Sequence, residues 1–374
     1  MFKHACLQLH WLIGISAGLV LAIMGLSGGL YSFSSELIQL IDPQITRVSP
    51  GNAAPLSPAL LLERVSQQSP DVSSLSLSDD PSQAARVGFM RPQAGSEFKK
   101  FEQQYLNPYT GELLGKPASE DFFRWVLNLH RKLALDQGGK AITGAATLAL
   151  LLLIISGMYL RWPRAKSLYW RSWLNLDWRL SGRDFLSRLH AVLATVAMLA
   201  YLIFALTSLS WSYDWYRKGL NALLGKDSAT ISKIAKAPRA APSQHPTKAL
   251  DLDAVWKNFQ AEVPHYQKLI LLLPSGSAST LQILYLDQQA AHPYANNRMV
   301  FDAASGALQT HERYADKSPG AKLSASLYAL HSGSFFGSTG MLIMMLAALL
   351  MPVLAVTGWM MYLSRRRLKQ IAQI

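Results

Sequence analysis

Four histidines in the 374-residue chain fall into two matched pairs, one member of each pair in either half. His10 and His190 each follow a leucine at the start of a long apolar stretch, and His130 and His331 each follow a leucine just before another. His10 stands 21 residues before Tyr31, and His190 stands 21 before Trp211; each of these aromatics opens a triplet, Tyr31-Ser32-Phe33 and Trp211-Ser212-Tyr213. His130 stands 27 residues before Gly157, and His331 stands 27 before Gly358; a hydroxyl residue, Ser156 or Thr357, precedes each glycine. Recurrence of this kind predicts a duplicated unit. An ionisable residue repeated in or beside membrane segments points to function.

Two neutral imidazoles facing each other across a helix bundle suit one metal centre. Zinc would need further ligands, and no cysteine or helix-borne carboxylate lies near these positions. Iron in a porphyrin brings its own four equatorial nitrogens, so two axial histidines suffice. There is no Cys-x-x-Cys-His, so covalent c-type attachment is not expected. The expectation is two haem b groups, with His10 and His190 as iron ligands on one side of a membrane and His130 and His331 on the other. Such a pair would carry electrons from a cytoplasmic-side donor, a reductase or quinol, to an outer acceptor. A single histidine at a helix end is ordinarily an interfacial or capping residue; the matched pairing weighs against that reading. His4, His245, His265, His292 and His311 do not recur between the halves and are read as tail, loop or strand-end residues.

These ligands need helices to hold them. Leu12–Phe33, Ala141–Leu160, Ala191–Leu209 and Met341–Leu363 each approach the ~20 apolar residues that span a bilayer. The first is preceded by a weak charge, Lys3 alone among Lys and Arg, and lacks a small-x-small cleavage pattern after it, so it reads as a retained signal anchor. At about 1.5 Å per residue a 21-residue step covers roughly 31 Å, which sets the two pairs at opposite faces. Gly14, Gly18, Gly25, Gly28 and Gly29 permit close helix packing or clearance for a flat macrocycle. Arg131, Lys132 and Arg188 adjoin the histidines and read as interfacial anchors, or as partners for haem propionates. The tryptophans fit an aromatic belt at the membrane boundaries.

The net charge of +13 is concentrated beside the spans. Arg161–Arg188 holds seven Lys/Arg against two Asp, and the tail adds Arg365, Arg366, Arg367 and Lys369. The positive-inside rule then puts both termini and the middle loop in the cytoplasm of a bacterial inner membrane, with the two large polar segments in the periplasm. Basicity that flanks spans argues against nucleic-acid binding. The single cysteine, Cys6, excludes a disulfide framework and is read as inert.

Each half reads as span, outer domain, span. Ser57–Gln68 has helical periodicity with a cap at Ser57, followed by strand-like runs near Ser74–Leu77, Ala85–Met90 and Phe101–Leu106, a turn at Asn107–Gly111 and a short strand through Leu114. After a Lys/Ala/Pro-rich linker, Ile231–Thr247, the order returns: helix Asp251–Glu262, strands near Lys268–Leu273, Thr280–Leu286 and Arg298–Phe301, and a turn Asp302–Gly306 spaced like the first. The expected division is 1–34 first span, 35–124 outer domain, 125–162 second span, 163–187 amphipathic cytoplasmic loop, 188–212 third span, 213–326 outer domain, 327–364 fourth span and 365–374 basic tail. The fold class is a membrane protein with four transmembrane α-helices in two repeats and two α+β outer domains.

The order of Leu9-His10-Trp11, Tyr105–Gly115, Trp125–His130, Ser156–Pro163, Leu189-His190, Met299–Leu308 and Leu330–Gly333 resembles the PepSY-associated transmembrane helix family, over nearly the whole chain. Within it the likeness is to FoxB-type inner-membrane siderophore reductases. That resemblance implies PepSY-like outer domains and a di-haem oxidoreductase that reduces an Fe(III)-siderophore in the periplasm and so releases Fe(II). Two other functions stay open at this point: a membrane-anchored module that binds or restrains a partner such as a protease, and a haem relay to a periplasmic oxidoreductase subunit.

Overall fold

Apolar runs and capped amphipathic segments give the chain its helices, and alternating runs give its strands. The computed structural model describes residues 2–50, 54–69, 71–93, 96–162, 173–224, 250–274 and 278–371. In chain order the first elements are α1 (Phe2–Tyr31), α2 (Ser34–Ile41), α3 (Pro43–Thr46), α4 (Pro58–Gln68), β1 (Val72–Ser78), β2 (Ala85–Gln93), β3 (Ser96–Leu106) and β4 (Leu113–Gly115). Then come α5 (Ala118–Lys132), α6 (Asp136–Arg161), α7 (Gly182–Ser212), α8 (Asp214–Leu223) and α9 (Leu252–Glu262). The last are β5 (Lys268–Leu272), β6 (Thr280–Leu286), β7 (Asn297–Asp302), β8 (Leu308–Glu312), α10 (Pro319–Ser332) and α11 (Gly337–Ile371). The expected loop 163–187 lies partly, and the linker Ile231–Thr247 with His245 wholly, outside the described residues.

The chain divides into two units. The first comprises Met1–Ser34, Phe122–Leu220 and Leu327–Ile374. Among its described residues are four helices long and apolar enough to cross a membrane: α1, α6, α7 and the stretch Ser334–Arg366 that is mostly α11. Helices α1 and α7 each pack on both α6 and α11, closing a four-helix ring. Polarity is inverted relative to a water-soluble bundle. Leu12, Leu19, Leu26, Val196, Leu199, Ile343 and Val356 are exposed, while Gly18, Gly25, Ser27, Thr143, Thr147, Ala197 and Ala205 are buried. Small residues let backbones approach where lipid gives no hydrophobic drive for association. At Gly25 a Cβ would lie 2.5 Å from the Ala348 carbonyl oxygen. Pro352, four residues on, has no N–H to give that carbonyl, so α11 turns toward α1 a carbonyl without its usual helical donor.

What the sequence reads as continuous second and fourth spans is broken in the structure. Helix α5 ends two residues after His130, and α10 ends one residue after His331. The break before α6 runs through Leu133, Ala134 and Asp136 at φ of +51°, +56° and +47°, a region that costs non-glycine residues about 1 kcal/mol or more each. It is held by Leu133 N–H to Leu129 O at 2.8 Å and Leu135 N–H to Lys132 O at 2.8 Å. The break before α11 uses Gly333 and Gly337, at φ of +83° and +64°.

The second unit, Ser35–Asp121 with Asn221–Ser326, differs from the expectation of two separate α+β domains. Its strands form one eight-stranded antiparallel sheet in the order β4-β3-β2-β1-β5-β6-β7-β8. The two segments join where β1 pairs with β5, Leu75 opposite Leu271. Alternation turns Leu75, Val87, Phe89, Leu271, Ile283, Met299 and Phe301 into one core with Leu61 and Val65 of α4 and Val255 and Phe259 of α9. The caps are as the sequence suggests for α4: Ser57 Oγ accepts from Leu60 N–H, and Asp251 does the same for Ala254 N–H ahead of α9. The two turns also match. Gly111 N–H donates to Asn107 O at 2.8 Å and Gly306 N–H to Asp302 O at 2.9 Å, with both glycines at positive φ. β8, a fourth strand in the second segment, has no counterpart in the sequence expectation; its residues are mostly exposed and carry little alternation.

Candidate functional site

The four histidines occupy equivalent settings at the two ends of the bundle. His10 sits early in α1, and its Nδ1 is 2.8 Å from Ser156 Oγ, late in α6. His190 sits early in α7, with Nδ1 2.8 Å from Thr357 Oγ1, late in α11. His130 closes α5, with Nδ1 2.9 Å from the Met24 carbonyl in the second half of α1. His331 closes α10, with Nδ1 2.8 Å from Thr207 Oγ1 near the end of α7. The bundle thus brings His10 and His190 to one end, as electrostatic neighbours, and His130 and His331 to the other.

These contacts fix which nitrogen carries the proton. Ser156 Oγ gives its own hydrogen to Leu152 O at 2.6 Å, Thr357 Oγ1 to Val353 O at 2.9 Å and Thr207 Oγ1 to Ile203 O at 2.6 Å. A hydroxyl has one hydrogen to give, so toward each histidine it can only accept. The Met24 carbonyl can only accept as well. All four imidazoles are therefore Nδ1–H donors, and all four keep the Nε2 lone pair. A ligand histidine is ordinarily set in this way, its second nitrogen anchored to orient the ring and raise the basicity of the first.

Glycines make room for the rings. A Cβ on Gly28 would lie 2.9 Å from His130 Cε1, one on Gly157 3.3 Å from His10 Cε1, and one on Gly358 3.8 Å from His190 Cε1. The recurring hydroxyl-glycine step is thus a seat for an imidazole, the hydroxyl anchoring and the glycine clearing. Gly14 and Gly18 instead face Leu153 and Ala355 of neighbouring helices.

The rings of His130 and His331 stand 6.3 Å apart, centre to centre. A metal–imidazole bond of about 2 Å and roughly 1 Å from nitrogen to ring centre would set two ligands on one ion roughly 6 Å apart. Phe204 and Trp211 flank His331, at 5.1 and 5.3 Å between ring centres. Among the described residues no group of three or more His, Cys, Asp or Glu could hold a metal ion. Two imidazoles with no carboxylate or thiolate suit an iron that brings its equatorial nitrogens, and the spacing of His130 and His331 fits a haem between them.

The remaining candidates lie elsewhere. Arg188 Nε donates to Asn175 O at 2.7 Å, and Arg161 to Trp173 O. Cys6 Sγ lies 3.9 Å from Ser156 O. Exposed His4 is 3.1 Å from Gln8. In the sheet unit, His311 Nε2 is 2.7 Å from Tyr285 Oη, and burial pushes that phenol up to about 12. His292 lies in the loop before β7, as the sequence suggests, and is buried there. Its Nδ1 accepts from Tyr294 N–H at 3.1 Å, so Nε2–H donates toward Ser326 Oγ at 2.9 Å or Tyr314 Oη at 3.0 Å. A histidine in that tautomer cannot take a proton from Ser326, and the cluster is a structural knot rather than a nucleophile and base. Burial holds the His292 pKa below the ordinary value.

Sequence reasoning did not find two of the four anchors. The Met24 carbonyl is backbone and leaves no mark in residue type. Thr207 is one of several hydroxyls in α7, and only its place one turn before Trp211 sets it apart.

The chain belongs to the PepSY-associated TM region family, whose model matches residues 7–365, and its four apolar helices accord with a membrane protein. No curated protein matches the chain.

Proposed function

For a membrane protein of this family, we propose a di-haem oxidoreductase of the bacterial inner membrane that reduces Fe(III)-siderophores in the periplasm, releasing Fe(II). One observation supports it above the rest: four imidazoles, two at each end of the bundle, each anchored through Nδ1–H with Nε2 left to bind iron. His10 and His190 would hold one haem b, and His130 and His331 the other. Bound there, these groups would supply one-electron transfer between the two faces. The chain's own part is to fix the rings, to keep Nε2 unprotonated and to exclude water along the core between Leu21, Leu150, Ala200 and Met344.

Orientation follows from charge: basic residues beside the ends of the spans favour cytoplasmic termini and a periplasmic sheet unit. Electrons would enter from a cytoplasmic reductase or quinol. The substrate's iron is held by hard oxygen donors that bind Fe(II) far less well than Fe(III), so one electron suffices to loosen it. Stopped-flow mixing of dithionite-reduced protein with ferric siderophores tests this. Expected are rapid reoxidation and Fe(II) captured by a ferrous chelator. A reduced protein indifferent to every ferric chelate would overturn the substrate reading.

A further inference from the structure

Helix α8 is amphipathic, yet its apolar side is not buried in the protein. Trp215, Tyr216, Leu220 and Leu223 fall on one side at helical spacing, and Asp214, Arg217, Lys218 and Asn221 on the other. None of its residues is buried; Trp215 is 63% exposed and Leu223 83%. An amphipathic helix of a water-soluble unit turns its apolar side into a core, as α4 does with Leu61, Leu62 and Val65. Apolar surface of this kind is unfavourable in water, and it marks a contact surface.

The position of α8 in the chain identifies the partner. It starts two residues after the transmembrane helix α7 ends. Tyr213, between them, is extended at φ −130° and ψ 121°, so α8 does not continue the span. The apolar run Ala191–Leu209 of α7 covers roughly 28 Å, close to the hydrocarbon thickness of a bilayer. Trp211 and Trp215 follow directly, where a membrane boundary collects indole rings. The polar side of α8 carries Arg217 and Lys218 against Asp214, an excess of positive charge that suits phosphate headgroups.

Other exposed aromatics stand at the same end of the bundle. Phe122 and Trp125 lie one turn apart on α5, whose adjoining side buries Phe123 and Val126, and Phe336 lies just before α11. Exposed rings thus belong to α5, α7, α8 and the segment before α11. A boundary that surrounds the molecule accounts for that spread; a docking patch for one protein partner does not.

We infer that α8 is an interfacial helix whose Trp215–Leu223 face binds the headgroup–acyl boundary of the bilayer that α7 crosses, with the α5 aromatics as a second contact. The inference stands apart from the haem reading and needs only that the four helices span a membrane.

The test uses the full-length chain with Cys6→Ala, one copy per phosphatidylcholine–phosphatidylglycerol nanodisc. Leu223→Cys or Lys218→Cys is added and labelled with an environment-sensitive fluorophore. Both positions are exposed, so the labels leave the packing intact. Expected at Leu223→Cys is blue-shifted emission, quenched more by lipid spin-labelled near its headgroup than by lipid spin-labelled at the chain end. Expected at Lys218→Cys is water-like emission that an aqueous quencher removes. Water-like emission at both positions would overturn the inference. So would a blue-shifted Leu223→Cys label indifferent to spin-labelled lipid, because protein would then cover the face, or one quenched most from the chain end.

Discussion

Thr207 Oγ1 accepts the Nδ1 proton of His331 at 2.8 Å while giving its own hydrogen to Ile203 O at 2.6 Å. The hydroxyl is thus committed on both sides, and it selects the His331 tautomer with Nε2 unprotonated. Thr207→Val keeps the side-chain shape and removes the acceptor. Loss of such an anchor ordinarily costs about 10- to 100-fold in affinity for the bound group. The expected outcome is a bundle that inserts and folds but releases one haem at competing apo-myoglobin concentrations where wild type retains it. Thr207→Ser should restore retention.

Gly28 makes a sharper steric prediction. A Cβ there would lie 2.9 Å from His130 Cε1, against 3.3 Å for Gly157 and His10. Gly28→Ala should displace the His130 ring and lower haem content toward half of wild type. Gly157→Ala should weaken binding at the other end by a smaller factor. Pyridine haemochrome assay per mole of protein distinguishes them; equal, unaffected content in both variants would mean that the rings are not held where the structure has them.

Gly25 tests the bundle rather than the site. Its close approach to the Ala348 carbonyl leaves no space for a methyl group. Gly25→Ala should cost about 1–3 kcal/mol, the usual range for overpacking. The readout is a lowered thermal midpoint in detergent, with the sheet unit unaffected.

His292 sets a pH dependence in the sheet unit. Burial lowers its folded pKa below the ~6.5 of a free histidine. Between those two values the unfolded chain binds more protons, so stability is complete above about pH 6.5, falls as pH drops from there toward the folded pKa by at most about 1.4 kcal/mol per pH unit, and levels off below it. Asp80, whose carboxyl the Ser82 hydroxyl holds below the usual range, acts with the same sign only in more acidic solution. Urea midpoints at pH 7.5 and 5.5, read from tryptophan fluorescence, should separate for wild type and lie closer together for His292→Gln, with His311, which burial also holds below the ordinary value, keeping part of the difference.

Much of this was legible in the residue order. The histidine spacings, the hydroxyl-glycine steps and the matched turns at Gly111 and Gly306 are local patterns, and local patterns survive into structure. The caps at Ser57 and Asp251 likewise mark helix starts by residue type alone. The single sheet was not legible, because Leu75 meets Leu271 across most of the chain and no residue type announces which edge a strand will choose. The helix breaks after His130 and His331 were hidden for opposite reasons. Leu133 and Ala134 adopt left-handed backbone that their side chains disfavour, and Gly333 and Gly337 lie in a run that also reads as continuous span. Tyr201 of α7 looked like any aromatic in an apolar stretch, and only the fold reveals that its hydroxyl is buried in the bundle with no hydrogen-bond partner among the described residues.

Paired imidazoles at each end are proposed to grip one iron apiece. Haem-to-protein stoichiometry of the purified full-length chain, with a low-spin ferric spectrum, measures it directly. Two haems per chain are expected in wild type and one in His331→Ala. A colourless protein from haem-replete cells, or haem content that His331→Ala leaves unchanged, would contradict it.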